Sequence, residues 1–250
     1  MTAQISDSST DNTDFSFETH YLWPALVIKS AAIRNIMVNV DTKNRRYTLN
    51  HLDINEINHQ GPLQMYAYGA INEQLFSAKG QLGSLNELFA KHPYSVDIKL
   101  ETQHLTASLQ GQITDALNAK GLELRIDVTA NDLSKLTSLN IPANTQLTGS
   151  GKLKGELYQP QLKDLNIQLS RGNLAYITAS GQIENIITTT GMNLTVNGFI
   201  KDPEISALLF SNSMPQFNDI TFNAKLINQG NTIRLDNINT SSESHTSCTK

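Results

Sequence analysis

The chain has 250 residues, of which 39% are apolar and 6% aromatic, a length that fits one large domain or two ordinary ones. Its 19 basic and 23 acidic residues give a net charge of -4 and form no basic cluster, which argues against a nucleic-acid partner. The single cysteine rules out an internal disulfide, and no apolar run reaches the roughly 18 residues that a membrane-spanning helix needs.

Alternation of apolar and polar residues dominates the chain. The runs YSVDIKLE, LELRIDVTA and LNIQLS show it clearly, and each places its apolar residues on one face of an extended segment. Turn residues such as Gly61-Pro62 and Gln159-Pro160 separate the runs. We therefore predict a mainly β fold, a meander of half-buried antiparallel strands. Its apolar face is expected to include Val96, Ile98, Leu100, Leu122, Leu124, Ile126, Leu165, Ile167 and Leu169.

Two short helices, and a candidate third, interrupt the strand pattern. In LGSLNELFAKHP, Ser84 is the predicted N-cap and Glu87 follows three residues later. In NDLSKLTSLNIP, Asn131 or Asp132 is the predicted cap, and EISALLFSNSMPQF, residues 204–217, is the candidate third helix. Because each of the first two lies between two predicted strands, we expect each to cover a side or an end of the sheet.

The stretch TQLTGSGKLKGEL is close to a phosphate-binding loop but lacks its essential spacing. That loop requires Gly, four residues, and then Gly-Lys followed by Ser or Thr. Position 146 is Gln instead of Gly, and Leu153 follows Lys152. Gly149 and Gly151 fall on the same side of the alternation as Leu153. We therefore predict a curved strand, where glycines mark a bend or a close approach.

A weak internal repeat runs through the strand region. GQI at Gly111 recurs at Gly181, and GLELRI at Gly121 recurs as GMNLTV at Gly191, both at an offset of 70 residues. We predict a repeated unit of several strands and one short helix, which would bury its apolar surface against its neighbours. The predicted organisation is a polar segment over 1–20, a repetitive β domain over 21–240 with repeats near 94–163 and 164–233, and a polar tail over 241–250.

The order of these patterns resembles that of the AsmA family of bacterial envelope proteins. LVIKSAAIRNIMVNVDTKNRRYTLNHLDIN is similar to a family segment in which a strand leads through a turn into LDI. LFSAKGQLGSLNELFAKHPYSVDIKLE and GLELRIDVTANDLSKLTSLNIP follow in the order of the family's C-terminal region. The resemblance covers about residues 22–200. It consists of small and apolar positions and contains no catalytic signature.

The resemblance implies an elongated, curved antiparallel sheet, a repeating β-groove whose apolar lining holds phospholipid acyl chains. It also implies a periplasmic protein, anchored in the inner membrane in its full-length form, that serves outer-membrane biogenesis by lipid transport. The anchor helix is missing from this sequence, so we expect a C-terminal piece or a truncated gene model. The residues alone favour a closed sandwich, because antiparallel strands with one wet face commonly pair that way. The two interpretations stay open at this point.

No constellation of residues indicates an enzyme. The histidines lack the spacing of a zinc site, no Gly-x-Ser-x-Gly motif occurs, and Asp53 and Glu56 fit solvated carboxylates on a polar strand face. We expect a non-enzymatic protein without a metal or cofactor. The first hypothesis is an apolar groove that binds or conducts phospholipid. The alternative is a structural or assembly module that contacts envelope proteins through polar sheet edges.

Overall fold

The computed structural model describes residues 30–40, 45–56, 61–71, 74–90, 92–136, 141–201, 205, 219–229 and 232–242. These residues form mainly β structure, which confirms the predicted mainly β class, while the curvature and the repeating groove stay predictions. The strands are β1 (Ser30–Val40), β2 (Arg45–Glu56), β3 (Leu63–Ile71), β4 (Gln74–Leu82), β5 (Tyr94–Thr102), β6 (Leu105–Asp115), β7 (Lys120–Ala130), β8 (Gln146–Glu156), β9 (Gln159–Arg171), β10 (Ala175–Ile183), β11 (Asn193–Ile200), β12 (Ile220–Gln229) and β13 (Thr232–Ser242). Helix α1 (Leu85–Phe89) lies between β4 and β5, and a short 3-10 helix (Leu133–Lys135) lies between β7 and β8.

The strands form one antiparallel sheet whose spatial order follows the chain, from β1 at one edge to β13 at the other. Every described strand thus pairs with its neighbours in sequence, as in the predicted meander. The described strands form a single open sheet, so they do not build the closed sandwich that the residues alone favoured. A spacing of about 4.8 Å between strands gives roughly 58 Å across the sheet.

The two faces of the sheet differ in chemistry, as the alternation predicts. We call the face that carries Val96, Leu122 and Leu124 the apolar face, and the opposite face the polar face. On the polar face, exposed charges pair with each other: Lys99 Nζ lies 2.6 Å from Glu101 Oε1, and Arg125 Nε lies 2.7 Å from Asp127 Oδ2. These hydrogen bonds lower the pKa of both carboxyls. Such exposed pairs keep the polar face hydrated and add little stability.

Helix α1 has the start that the sequence predicts. The Ser84 hydroxyl accepts a hydrogen bond from the Glu87 backbone N–H (3.1 Å), and the Glu87 carboxylate accepts one from the Ser84 N–H (3.0 Å). This reciprocal capping box satisfies two donors that the first helical turn would otherwise leave unpaired. Leu88 of the helix packs against a buried cluster that contains Tyr94 and Leu124. The helix therefore covers part of the apolar face.

In the second predicted helix, Leu133–Lys135 form a 3-10 turn, and residues 137–140 lie outside the described ones. The Asp132 carboxylate accepts hydrogen bonds from the N–H and the hydroxyl of Ser134, and the Leu133 N–H donates to the Thr145 carbonyl (2.7 Å). These bonds satisfy N–H groups at the start of the turn that have no partner within it. Of the candidate third helix only Ile205 is described, in helical conformation and buried; its other residues lie outside the described ones.

The glycine-rich stretch around Lys152 forms strand β8, which confirms the strand prediction. Gly151 is buried and pairs with Ile126 of β7. Strand β9 carries one extra residue relative to β8, and Asp164 takes φ 51° there. Lys152 Nζ lies 2.9 Å from the Asp164 carboxylate and lowers its pKa. The lysine that suggested a phosphate loop thus pairs with a carboxylate of the neighbouring strand.

Backbone conformation repeats at the offset seen in the sequence. Gly111 and Gly181 have φ values of 147° and 148°, Ala119 and Thr189 share φ 54°, and Gly121 and Gly191 have φ values of 70° and 65°. All three pairs are 70 residues apart. These matches support a repeat at that offset, while its boundaries stay a prediction, as do those of the two polar flanks.

Candidate functional site

All nine predicted lining residues lie on strands that contribute to the apolar face. Val96, Leu122, Leu124 and Leu165 are buried. The others are half-buried, namely Ile98, Leu100, Ile126, Ile167 and Leu169. The structure thus places them on one surface, and their role as a groove lining stays a prediction.

Strand β6 brings the lining residues of β5 and β7 together. Ile98 and Ile126 both pair with Leu109, and Val96 and Leu124 both pair with Gly111. The three predicted residues of β9 are farther away, because β8 separates them from β7. The predicted set is therefore a surface several strands wide and not one compact pocket.

One row of small and apolar residues crosses the apolar face in continuous register, and we call it the central row. In chain order it consists of Leu52, Ala67, Ala78, Leu100, Ala107, Val128, Gly149, Ile167, Ala179, Val196 and Ala224. From Leu100 to Val196 every member is half-buried. Branched side chains alternate there with Ala or Gly, so the surface of the row is uneven.

The central row lies between two covered margins. Toward α1, Leu122 and Leu124 are 3% and 4% exposed. At the opposite ends of the strands, the β7–β8 connection places Thr145 at 0% exposure, and its hydroxyl donates to the Pro142 carbonyl (2.6 Å). Farther along that side Ile205 packs against Ala175 and Ile200. The half-buried strip is thus bounded on both sides by the chain itself.

The list of predicted lining residues contains none from β6, β8 or β10. Leu109, Ile113 and Leu153 pack against the buried cluster next to α1. The sequence does indicate the contribution of β6, because apolar and polar residues alternate along LTASLQGQI as they do in the other strands. Ala107 and Gly111 occupy apolar positions in that run, and such small residues make the alternation easy to overlook.

The apolar face offers no charged group for polar chemistry in the strip. The central row contains no Asp, Glu, Lys, Arg or His. Burial raises the pKa of the Tyr94 phenol, and the nearby Glu87 carboxylate adds to that shift. The aliphatic side chains of the strip suit an apolar ligand.

The polar face carries at least three shallow concavities, of about 410, 470 and 560 Å³. Hydroxyl and amide side chains such as Thr148, Gln168 and Asn223 line them. Several of these groups already bond to each other: the Tyr176 hydroxyl donates to Gln168 Oε1 (3.3 Å), and the Asn223 amide donates to Asn197 Oδ1. We therefore assign no function to these concavities.

Among the described residues, no three His, Cys, Asp or Glu side chains are grouped so that they could hold a metal ion. His51 contacts the Asp53 carboxylate and stacks on Tyr68, with ring centroids 5.5 Å apart, which is a surface pair on the polar face. Within the same described part of the chain, no helix has the length and apolar character to cross a membrane. Comparison with known proteins gives no match to any protein-family model, curated protein or solved structure.

Proposed function

We propose that this chain is a section of a non-enzymatic β-groove whose apolar face binds phospholipid acyl chains. The observation that carries the proposal is the central row, half-buried from β5 to β11 between two covered margins. Apolar surface left in water costs about 25 cal/mol per Å² relative to burial. A contiguous apolar strip that stays partly accessible often marks a binding surface.

The dimensions of the strip suit an acyl chain. The seven strands from β5 to β11 span roughly 29 Å at about 4.8 Å per strand spacing. One leaflet of a bilayer contributes about 15 Å of hydrocarbon, half of a core of about 30 Å. An extended acyl chain therefore fits along the strip with room to spare.

The composition of the central row favours a flexible apolar ligand. Small residues such as Ala107, Gly149 and Ala179 separate larger ones, so depressions lie between neighbouring side chains. A flexible chain can follow these depressions and gain close contacts that a rigid surface would miss. Since the row lacks charge, we expect acyl-chain binding without recognition of one head group.

The cellular setting of the proposal comes from the AsmA resemblance. We propose an elongated, curved groove that faces the periplasm, belongs to a protein anchored in the inner membrane, and passes phospholipid toward the outer membrane. The edge-to-edge width of the sheet is compatible with a section of such a groove.

Photo-crosslinking tests the proposal without relying on mutant stability. A benzophenone amino acid at Ile167, on the apolar face, should form phospholipid adducts in cells, detectable by mass spectrometry of the purified protein. The same amino acid at Thr148, exposed on the polar face, is the matched control and should form none. Equal adducts at both positions, or none at Ile167, would contradict the groove.

A substitution complements the crosslinking. Ile126→Asp places a carboxylate on the apolar face and should lower the phospholipid that co-purifies with the protein several-fold. Thr148→Asp adds the same charge to the polar face and should leave the bound lipid unchanged. If wild-type protein carries no lipid and Ile126→Asp only unfolds the chain, the proposal fails.

A structural or assembly module is the second candidate. Among the described residues, β1 and β13 each pair on one side only, and an unpaired strand edge can accept a strand from another protein. Crosslinking from Arg234 on β13 that captured an envelope protein, together with no lipid at Ile167, would favour this function.

A further inference from the structure

Four large apolar side chains are exposed at neighbouring turns on one rim of the sheet. Leu117 lies in the β6–β7 turn, Leu157 and Tyr158 form the β8–β9 turn, and Ile187 lies in the β10–β11 turn. Their exposures are 54%, 53%, 76% and 64%. These turns share a rim because alternate connections of an antiparallel meander lie at the same end of the strands. We call residues 116–119, 157–158 and 186–189 the turn tips.

The turn tips are joined into one row by backbone hydrogen bonds. The Leu157 N–H donates to the Ala119 carbonyl (2.9 Å), and the Ile186 N–H donates to the Pro160 carbonyl (3.0 Å). Adjacent tips are therefore held two strand spacings apart, about 10 Å. Their apolar side chains form a fixed line of separate points along the rim.

Two of these tips are equivalent in the internal repeat. The Asp115 carboxylate accepts a hydrogen bond from the Asn118 N–H at 3.2 Å, and Asn185 Oδ1 accepts one from the Thr188 N–H at 3.2 Å. Both pairs are related by the offset of 70 residues, as are Leu117 and Ile187. The same turn thus presents an exposed apolar side chain twice.

The chemistry of the tips suits the interface of a lipid bilayer. The tips read ALNA, LY and IITT and contain no charged residue, and the Asp115 carboxylate at the base of the first tip is bonded to Asn118. Several of their backbone N–H groups are already bonded within the turns or between them. The nearest ion pair, Lys120 with Glu156 (3.7 Å), lies just behind the tips, at the depth expected for head groups. Tyr158 combines an apolar ring with a hydroxyl, the combination found at membrane interfaces.

We propose that this rim is a membrane-docking edge, and that the turn tips insert into the interfacial region of a phospholipid bilayer. Separate points about 10 Å apart offer little continuous area to a protein, whose interfaces bury roughly 800 Å² per partner. A fluid bilayer can surround each tip individually. The inference goes beyond the groove function, because it uses the rim and not the apolar face.

Vesicle flotation of the full chain tests the docking edge. With vesicles of phosphatidylcholine alone, the wild-type protein should float, and high salt should not release it because the contact is apolar. The double variant Leu117→Asp, Ile187→Asp should lower the partition coefficient by roughly tenfold per substitution. Leu174→Asp, at an exposed position on the opposite rim, is the control and should float like wild type. Thr148→Asp, exposed on the polar face, is a second control and should also float like wild type.

A fluorescence measurement keeps the test independent of protein stability. In a Cys248→Ser background, a polarity-sensitive dye on a cysteine at position 117 or 187 should shift to the blue with vesicles, and one at position 174 should not. Loss of flotation in Leu174→Asp, retention in the double variant, or equal dye response at all three positions would overturn the proposal. So would a change in oligomeric mass of the double variant while vesicle binding stayed intact, because the rim would then be a protein contact.

Discussion

Gly111 and Gly181 occupy equivalent positions, each close against the backbone of the strand with which it pairs. A Cβ added to Gly111 would meet the Glu123 carbonyl oxygen, and one added to Gly181 would meet that of Asn193, both at well under 3.0 Å. Both glycines also have positive φ values, which side chains rarely adopt. The two sites therefore require glycine for the same reason.

Alanine at either glycine should destabilise the fold by about 2–4 kcal/mol, because the strands must separate and the backbone is strained. Gly149→Ala is the matched control within the same sheet, since its added Cβ would lie 3.8 Å from the nearest atom. It should change the free energy of unfolding by less than about 1 kcal/mol. Urea unfolding followed by circular dichroism measures all three, and equal effects would refute the equivalence.

Thr145 should matter through its hydroxyl. It is fully buried and donates to the Pro142 carbonyl. Thr145→Val keeps the shape but leaves that carbonyl without its donor, which should cost about 1–3 kcal/mol. Thr145→Ser keeps the donor and should cost less than valine does. A valine variant as stable as the serine variant in urea would contradict this role.

The capping box of Ser84 and Glu87 should stabilise α1. Ser84→Ala removes the hydroxyl that accepts from the Glu87 N–H and should cost about 1 kcal/mol of unfolding free energy. Asn86→Ala changes an exposed position of the same helix and should cost less than about 0.5 kcal/mol. Thermal unfolding of both variants provides the comparison, and a larger loss for Asn86→Ala would argue against the cap.

The protein should lose stability at alkaline pH because the Tyr94 phenol ionises more easily in the unfolded chain than in the folded one. Its pKa is raised in the folded state above the ordinary value of 10.0, so the folded chain holds this proton more tightly than the unfolded chain. Its contribution is complete below pH 10 and is lost as pH rises through the folded-state pKa. Tyr94→Phe should show a shallower loss of stability above pH 10, measured as urea midpoints against pH. Parallel curves for the two proteins would contradict the burial of this phenol.

The strands could be predicted because alternation and turn residues act locally. The runs at Val96 and Leu122 specify their own faces, and Ser84 with Glu87 specifies a helix start. The alternation alone could not predict the single open sheet, since the same alternation serves a sandwich as well; an open antiparallel sheet was expected only from the AsmA resemblance. Leu117 and Ile187 were also beyond prediction, because apolar residues in a turn are usually taken to point inward. The hydrogen bond from the Leu133 N–H to the Thr145 carbonyl joins the two ends of the β7–β8 connection, and no local pattern predicts it.

Because the strands lie in the sheet in the same order as in the chain, the protein can fold through local steps. Most strands close a short connection onto the strand made just before them, so the entropy of loop closure is small at most steps. Folding can begin at any hairpin and spread in both directions, as in other one-dimensional arrays. Such a molecule can lengthen or shorten by whole hairpins during evolution without rebuilding its centre.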